Sequence, residues 1–271
     1  MMKKNIQILL WVFVIGLVYG QPTTPFQIGE IHKIESKVLN EERVLNVYLP
    51  HGYDQKEKYP VIYLLDGSAD EDIVHIAGLV QFMGLMYTMP PTIVVGIANV
   101  DRKRDFTFKT DVPSLREKYP NTGHSAPFIK FIAEELQPYV RNHFSTNDTT
   151  SLIGQSLGGL LASEIVLKNP ELFDRYYIVS PSLWWGEESL LKDADNLISQ
   201  HNYSGKYIHI SVGKNEDKIM VREAKALYKK LKPLSKKEVF VGLNVLKGHN
   251  HATVLHQAIY DALKLLYVPI A

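Results

Sequence analysis

Ser156 stands in the run Gly154-Gln155-Ser156-Leu157-Gly158-Gly159. A β-favouring stretch, Thr149 to Ile153, precedes it, and the segment Leu157 to Lys168 follows with apolar residues at helical spacing: Leu157, Leu160, Leu161, Ile165 and Val166. A serine on so sharp a strand-to-helix turn is a nucleophile elbow, in which flanking glycines allow the bend and the hydroxyl projects clear of the backbone. At neutral pH a serine hydroxyl needs a base, usually histidine, held by a carboxylate. Both follow in the chain order Ser, acid, His. Glu216 and Asp217 come after the run Lys206–Val212, and His249 and His251 after Glu238–Leu246. The matching chemistry is acyl transfer through serine, whose oxyanion needs two backbone amides. Leu157 would supply one, and Gly67 or Ser68, after Val61–Asp66, the other.

Plainer readings exist for the same residues. One of Glu216 and Asp217 is expected to cap the next helix while the other orients the histidine. A His249-x-His251 metal pair would have no third ligand nearby except His256, so no metal or other cofactor is expected. The chain has no cysteine, which removes thiol chemistry, disulfides and lipid anchoring on cysteine.

These groups must be positioned by a scaffold. Phe26–Leu39 and Arg43–Leu49 read as strands, the second with clear alternation. Pro60–Asp66 and Thr92–Ala98 are near-continuous apolar runs, as buried parallel strands require. Ala69–Met83 reads as a helix, Asn99–Gly123 as a long polar connection, and Ser125–Phe144 as one helix. After the elbow come a strand Arg175–Val179, a loop Ser180–Trp185, a helix Glu187–Leu197, a strand Lys206–Val212 and a helix Lys218–Leu231. The strand Glu238–Leu246 and the helix Ala252–Leu266 close the chain. Strands alternating with helices imply an α/β fold: a mostly parallel sheet of about eight strands with helices on both faces.

With these segments in hand, the chain resembles the esterase family of α/β-hydrolases, closest to the branch of siderophore (enterochelin and bacillibactin) esterases. The resemblance rests on Pro60–Gly67, Val95–Ala98 with Arg104–Thr107, Glu135–Tyr139, Ile153–Leu160 and Ser180-Pro181-Ser182-Leu183-Trp184-Trp185, spread over most of the chain. It implies the α/β-hydrolase fold, Ser156 as nucleophile, and Gly67 with Leu157 around the oxyanion. The branch's glycine followed three residues later by glutamate fits Gly213 and Glu216. Its His-x-Ser-Val ending is matched by His251-Ala252-Thr253-Val254, whereas a Gly-Gly-His ending in other relatives would select His249. His251 also lies where the last helix begins, so packing anchors it, which further favours it as the base. Gln155 stands where the family elbow usually has histidine, with a side chain expected to point away from the chemistry.

The implied activity is a serine ester hydrolase working through an acyl-enzyme, on siderophore trilactone-type esters. The alternatives are a carbohydrate esterase removing acetyl or feruloyl groups, or a non-catalytic binding module on the same fold. Trp184 and Trp185 are candidates to wall a substrate pocket. In the run Arg102-Lys103-Arg104, Arg104 is a candidate contact for an anionic, catecholate-like ligand, with a local ion pair to Asp105 as its plainer reading.

Lys3 and Lys4, an apolar run from Ile8 to Tyr19 and small residues at Val18 and Gly20 read as a secretory signal over residues 1–20, leaving residues 21–271 as one catalytic domain. The apolar run is shorter than the ~20 residues a membrane span needs, so no stable span is expected after cleavage. Export to the periplasm or medium is the corresponding expectation. Lys+Arg number 30 against 29 Asp+Glu, a net charge of +1 that argues against nucleic acid. The expected partner is a small-molecule or carbohydrate ester.

Overall fold

A computed structural model of the chain describes residues 24–236 and 238–268. The signal expected over residues 1–20 therefore lies outside the described residues. Among the described residues eight strands form one sheet: β1 (Glu30–Ser36), β2 (Glu41–Tyr48), β3 (Tyr59–Leu64), β4 (Ile93–Ile97), β5 (Thr146–Gln155), β6 (Arg175–Val179), β7 (Tyr207–Gly213) and β8 (Phe240–Leu246). Their order is β1-β2-β4-β3-β5-β6-β7-β8. The pairs β1/β2 and β2/β4 are antiparallel and every other pair is parallel. This is the α/β-hydrolase arrangement that the sequence resemblance implies.

The apolar runs follow from burial on both faces. Along β3, Tyr59, Val61 and Tyr63 pack with one core cluster, and Ile62 and Leu64 with the other. The helices Ser125–Phe131, Gln137–His143, Leu157–Lys168 and Lys218–Leu231 cover the first face. Ile73–Leu85 and Val254–Tyr267 cover the second. No helix among the described residues is long and apolar enough to cross a membrane.

Three expected elements differ. The segment Glu187–Leu197, expected as one helix, is two short helices, Ser189–Lys192 and Ala194–Ser199, meeting at Asp193, with Glu187 and Glu188 at positive φ before them. The connection 99–123 contains two short helices, Arg102–Phe106 and Pro113–Lys118, the first capped by Asp101, which accepts the N–H of Arg104 at 3.0 Å. The long helix 125–144 is broken by a π-helical turn, Ile132–Leu136. Pro138 follows at once: it has no N–H to donate, and its ring crowds the carbonyl four residues back. Glu135 in this turn accepts Ser36 Oγ at 2.5 Å and the N–H groups of Lys37 and Val38 at 2.9 and 3.1 Å, tying the helix to the β1–β2 turn.

Candidate active site

The carboxyl ends of β5, β6, β7 and β8 lie side by side. Gln155 pairs with Val179, Val179 with Ser211, and Gly213 with Leu246. Four exit loops therefore meet along one edge, where open α/β sheets bind ligands.

Ser156 leaves β5 at φ 60° and ψ −117°, a left-handed conformation for a non-glycine residue. The glycines around it are demanded by contact. A Cβ on Gly154 would sit 2.3 Å from the Gly158 carbonyl oxygen, and one on Gly159 2.8 Å from that of Val179. The Ser156 N–H donates to Val179 O at 3.0 Å, its carbonyl accepts Ser182 N–H at 3.0 Å, and its hydroxyl lies 3.4 Å from Ser182 Oγ. Leu157 opens the following helix, so its N–H has no intrahelical acceptor.

Glu216 and Asp217 divide their work. Asp217 caps the helix Lys218–Leu231 by accepting the Ile219 N–H at 2.9 Å. Glu216, whose side chain is fully buried, meets His251, whose Nδ1 is 2.7 Å from Oε2. A carboxylate facing Nδ1 fixes the proton there and leaves Nε2 as the basic nitrogen. Glu216 Oε1 accepts Ser180 Oγ at 2.5 Å and the Gly213 N–H at 2.7 Å. Burial pushes the Glu216 carboxyl up, but the hydrogen bonds from His251, Ser180 and Gly213 outweigh it and hold it below the usual glutamate range. Gly213 must be glycine here, because a Cβ would lie 2.6 Å from His249 O and 2.9 Å from Glu216 Oε1.

His249 and His251 do not face the same way. The His249 ring contacts the Thr253 carbonyl through Nδ1 at 2.9 Å, and its own carbonyl accepts Asn215 N–H at 2.9 Å. His256 stacks on His75 with ring centroids 3.5 Å apart.

Three expected roles are corrected. Gly67 does not offer its amide to an oxyanion, because that N–H donates to Ile97 O at 3.0 Å. It is a packing glycine: a Cβ there would lie 2.3 Å from Gly96 Cα. The neighbouring Ser68 N–H donates to an exposed side chain, Glu71 Oε2, at 3.1 Å. Trp185 is not a pocket wall. It is 2% exposed and its indole N–H donates to Phe108 O at 2.8 Å. Trp184, half-buried and edge-on to Trp185, keeps exposed surface two residues beyond Ser182. Arg104 is not free for a ligand. Its guanidinium holds both Glu41 oxygens at 2.6 and 3.0 Å and Asp105 Oδ1 at 2.7 Å.

Sequence reasoning missed other contacts. Arg102, not Arg104, reaches the elbow: it forks onto Asp66 at 2.5 and 2.8 Å and donates to Gln155 O at 3.3 Å. Ser180 and Ser182 flank Pro181 in the quoted Ser-Pro-Ser run, which was the available signal for them. Gln155 turns toward the chemistry, donating Nε2–H to His251 O at 2.6 Å.

Comparison with known proteins places these residues in a family context. The sequence model of the family described as "Putative esterase" matches residues 36–257. The chain is 28% identical over 261 residues to the ferri-bacillibactin esterase BesA of Bacillus subtilis, covering 89% of this chain and 90% of that protein. The crystal structure of the BES protein from Bacillus cereus superposes with a TM-score of 0.81 at 27% identity, over 92% of this chain and 100% of the other. An IroE-like serine hydrolase from Shewanella oneidensis superposes with a TM-score of 0.80 at 29% identity, over 88% and 80%.

Proposed function

The chain belongs to this esterase family and is a carboxylic-ester hydrolase, and from that premise we propose that Ser156, His251 and Glu216 are its catalytic triad. The observation that carries the reading is the 2.7 Å contact between His251 Nδ1 and the buried Glu216 carboxylate, on loops adjoining the exit of the strained elbow. In the proposed cycle the Ser156 hydroxyl leaves Ser182 and gives its proton to His251 Nε2 as Oγ attacks the ester carbonyl. The N–H groups of Leu157 and Ser68 receive the oxyanion. Collapse expels the alcohol, which takes the proton from His251, and leaves an acyl-Ser156. Water activated by His251 then releases the acid. Glu216 holds the imidazole and balances the charge it acquires.

The proposed substrates are siderophore esters of the trilactone type, a reading supported by the likeness to a ferri-bacillibactin esterase along nearly the full length of both chains. The basic start and short apolar run of residues 1–20 support export, so hydrolysis would take place outside the cytoplasm.

The test has two parts. Ser156→Ala should lower turnover by several orders of magnitude and abolish labelling by a fluorophosphonate probe. An unchanged rate, or no labelling of the wild type, would remove the nucleophile and leave a binding module. Purified protein should then be offered ferric and free catecholate trilactones beside acetylated and feruloylated sugars. Rapid sugar deacylation with inert trilactones would overturn the substrate assignment in favour of a carbohydrate esterase.

A further inference from the structure

We infer that Gln155 is a positioning residue for the base. This rests on the reading of His251 as that base. Gln155 ends β5 and immediately precedes Ser156, and its side chain donates to the main-chain carbonyl of His251 at 2.6 Å. The amide orientation follows from chemistry, since the opposite one would set two oxygens against each other.

The bond matters because of what else holds the loop 248–253. Asn250 and Thr253 bond one another through Asn250 N–H to Thr253 Oγ1 at 3.2 Å, and Ala252 N–H donates to Asn250 Oδ1 at 3.0 Å. The His249 ring reaches Thr253 O. These contacts shape the loop but do not set its place on the sheet. Packing of the buried Val254 and Leu255 anchors the loop's far end, and three hydrogen bonds place the rest: Asn215 N–H to His249 O at 2.9 Å, Glu216 to the His251 ring, and Gln155 to the His251 backbone. The first two tie the loop to the acid's side of the site. Gln155 alone among these three ties it to the nucleophile's side. The bond therefore fixes the separation between the base's backbone and the residue adjoining the nucleophile. A proton transfer is sensitive to that separation, because a base must come within hydrogen-bond reach of its target.

Gln155 is itself held. Its carbonyl accepts from Arg102 at 3.3 Å, and Arg102 is forked onto Asp66. The side chain of Gln155 thus reaches His251 O from an anchored main chain.

Three variants test the inference against a short-chain aryl ester, with Ser156→Ala and His251→Ala in the same assay. Gln155→Leu removes the donor at similar size, Gln155→Glu removes it and adds a carboxylate facing a carbonyl, and Gln155→His returns a ring N–H. The first should lower kcat about tenfold with KM within twofold and slow fluorophosphonate labelling in parallel. The second should be lower still, and the third should recover most of the lost rate. If Gln155→Leu fails to fold, Gln155→Glu against Gln155→His carries the same comparison. Wild-type kcat in the donor-less variants, a loss confined to KM, or no recovery in Gln155→His would overturn the inference while the triad stands. Activity surviving in Ser156→Ala or His251→Ala would overturn the triad, and this inference with it.

Discussion

Ser180 donates its hydroxyl to Glu216 Oε1 at 2.5 Å from a backbone held at φ 43°. It is fully buried, and its own N–H donates to Ser211 O at 2.8 Å. Two residues on, Ser182 touches Ser156. The Ser180-Pro181-Ser182 segment thus spans Glu216 and Ser156, with a left-handed residue stored at its start. A hydrogen bond to a charged group contributes about 1.5–3 kcal/mol, enough to decide the state of a buried carboxylate.

Ser180→Ala should therefore raise the Glu216 pKa toward its ordinary value and reduce kcat/KM about tenfold. The effect on stability has a definite sign. A carboxyl whose folded pKa is depressed contributes stability that is complete above its unfolded value and lost as pH falls through the folded one. With the folded value raised, the contribution shrinks and disappears at higher pH. Acid unfolding followed by circular dichroism should show the midpoint moved upward, and an unmoved midpoint would contradict the assignment.

The two histidines should separate cleanly. His251→Ala should abolish turnover and probe labelling together, whereas His249→Ala should retain most activity, because the His249 tie to Asn215 runs through its main chain. Steady-state kinetics on both variants would reveal the opposite assignment directly.

Glu223 carries a pH signature of its own. It is fully buried in the helix Lys218–Leu231, with Oε2 unpartnered. Burial, then the nearby Glu188 charge, push its carboxyl up to about 7 against relief from Arg222 and the Trp184 N–H. Between its ordinary value of 4.5 and about 7 the unfolded chain has lost this proton while the folded chain keeps it. Stability should then fall as pH rises through that window and level off above it, by about 3 kcal/mol. Urea unfolding of wild type and Glu223→Gln at pH 5 and pH 8 would show the difference, with the variant gaining relative stability at pH 8.

Gly67 and Gly78 should respond in opposite directions. Gly67→Ala forces a Cβ against Gly96 backbone at 2.3 Å and should cost about 3 kcal/mol. Gly78 is exposed within the helix Ile73–Leu85 with nothing within 4 Å, so Gly78→Ala should stabilise by about 0.5–1 kcal/mol. Thermal melts of the two variants provide the measurement.

The elements that sequence reading places well are those whose ends are chemically marked. Arg175–Val179, Leu157–Lys168 and Lys218–Leu231 are found as read, the latter two opening at the elbow and at the Asp217 cap. Arg102–Phe106 is five residues long, too short to show a period. The fates of Trp185 and Arg104 are set by Phe108 and by Glu41, the one 77 and the other 63 residues away. Residue type suggests a ligand contact in both cases, and only the folded chain reveals that the contact is already made. Gln155 is a third case, since its acceptor lies 96 residues on.

The crossing of Gly154 over Gly158 bears on how such a chain can diverge. The crossing involves backbone alone and would persist if the residue at 156 lost its hydroxyl. On the proposed mechanism, a single codon change could silence the chemistry and leave the turn, its glycines and the sheet intact. Descendants that had abandoned hydrolysis would still display the glycine pattern. The pattern is thus a record of ancestry and packing, and evidence of present activity must come from the occupant of position 156 and the partners it meets.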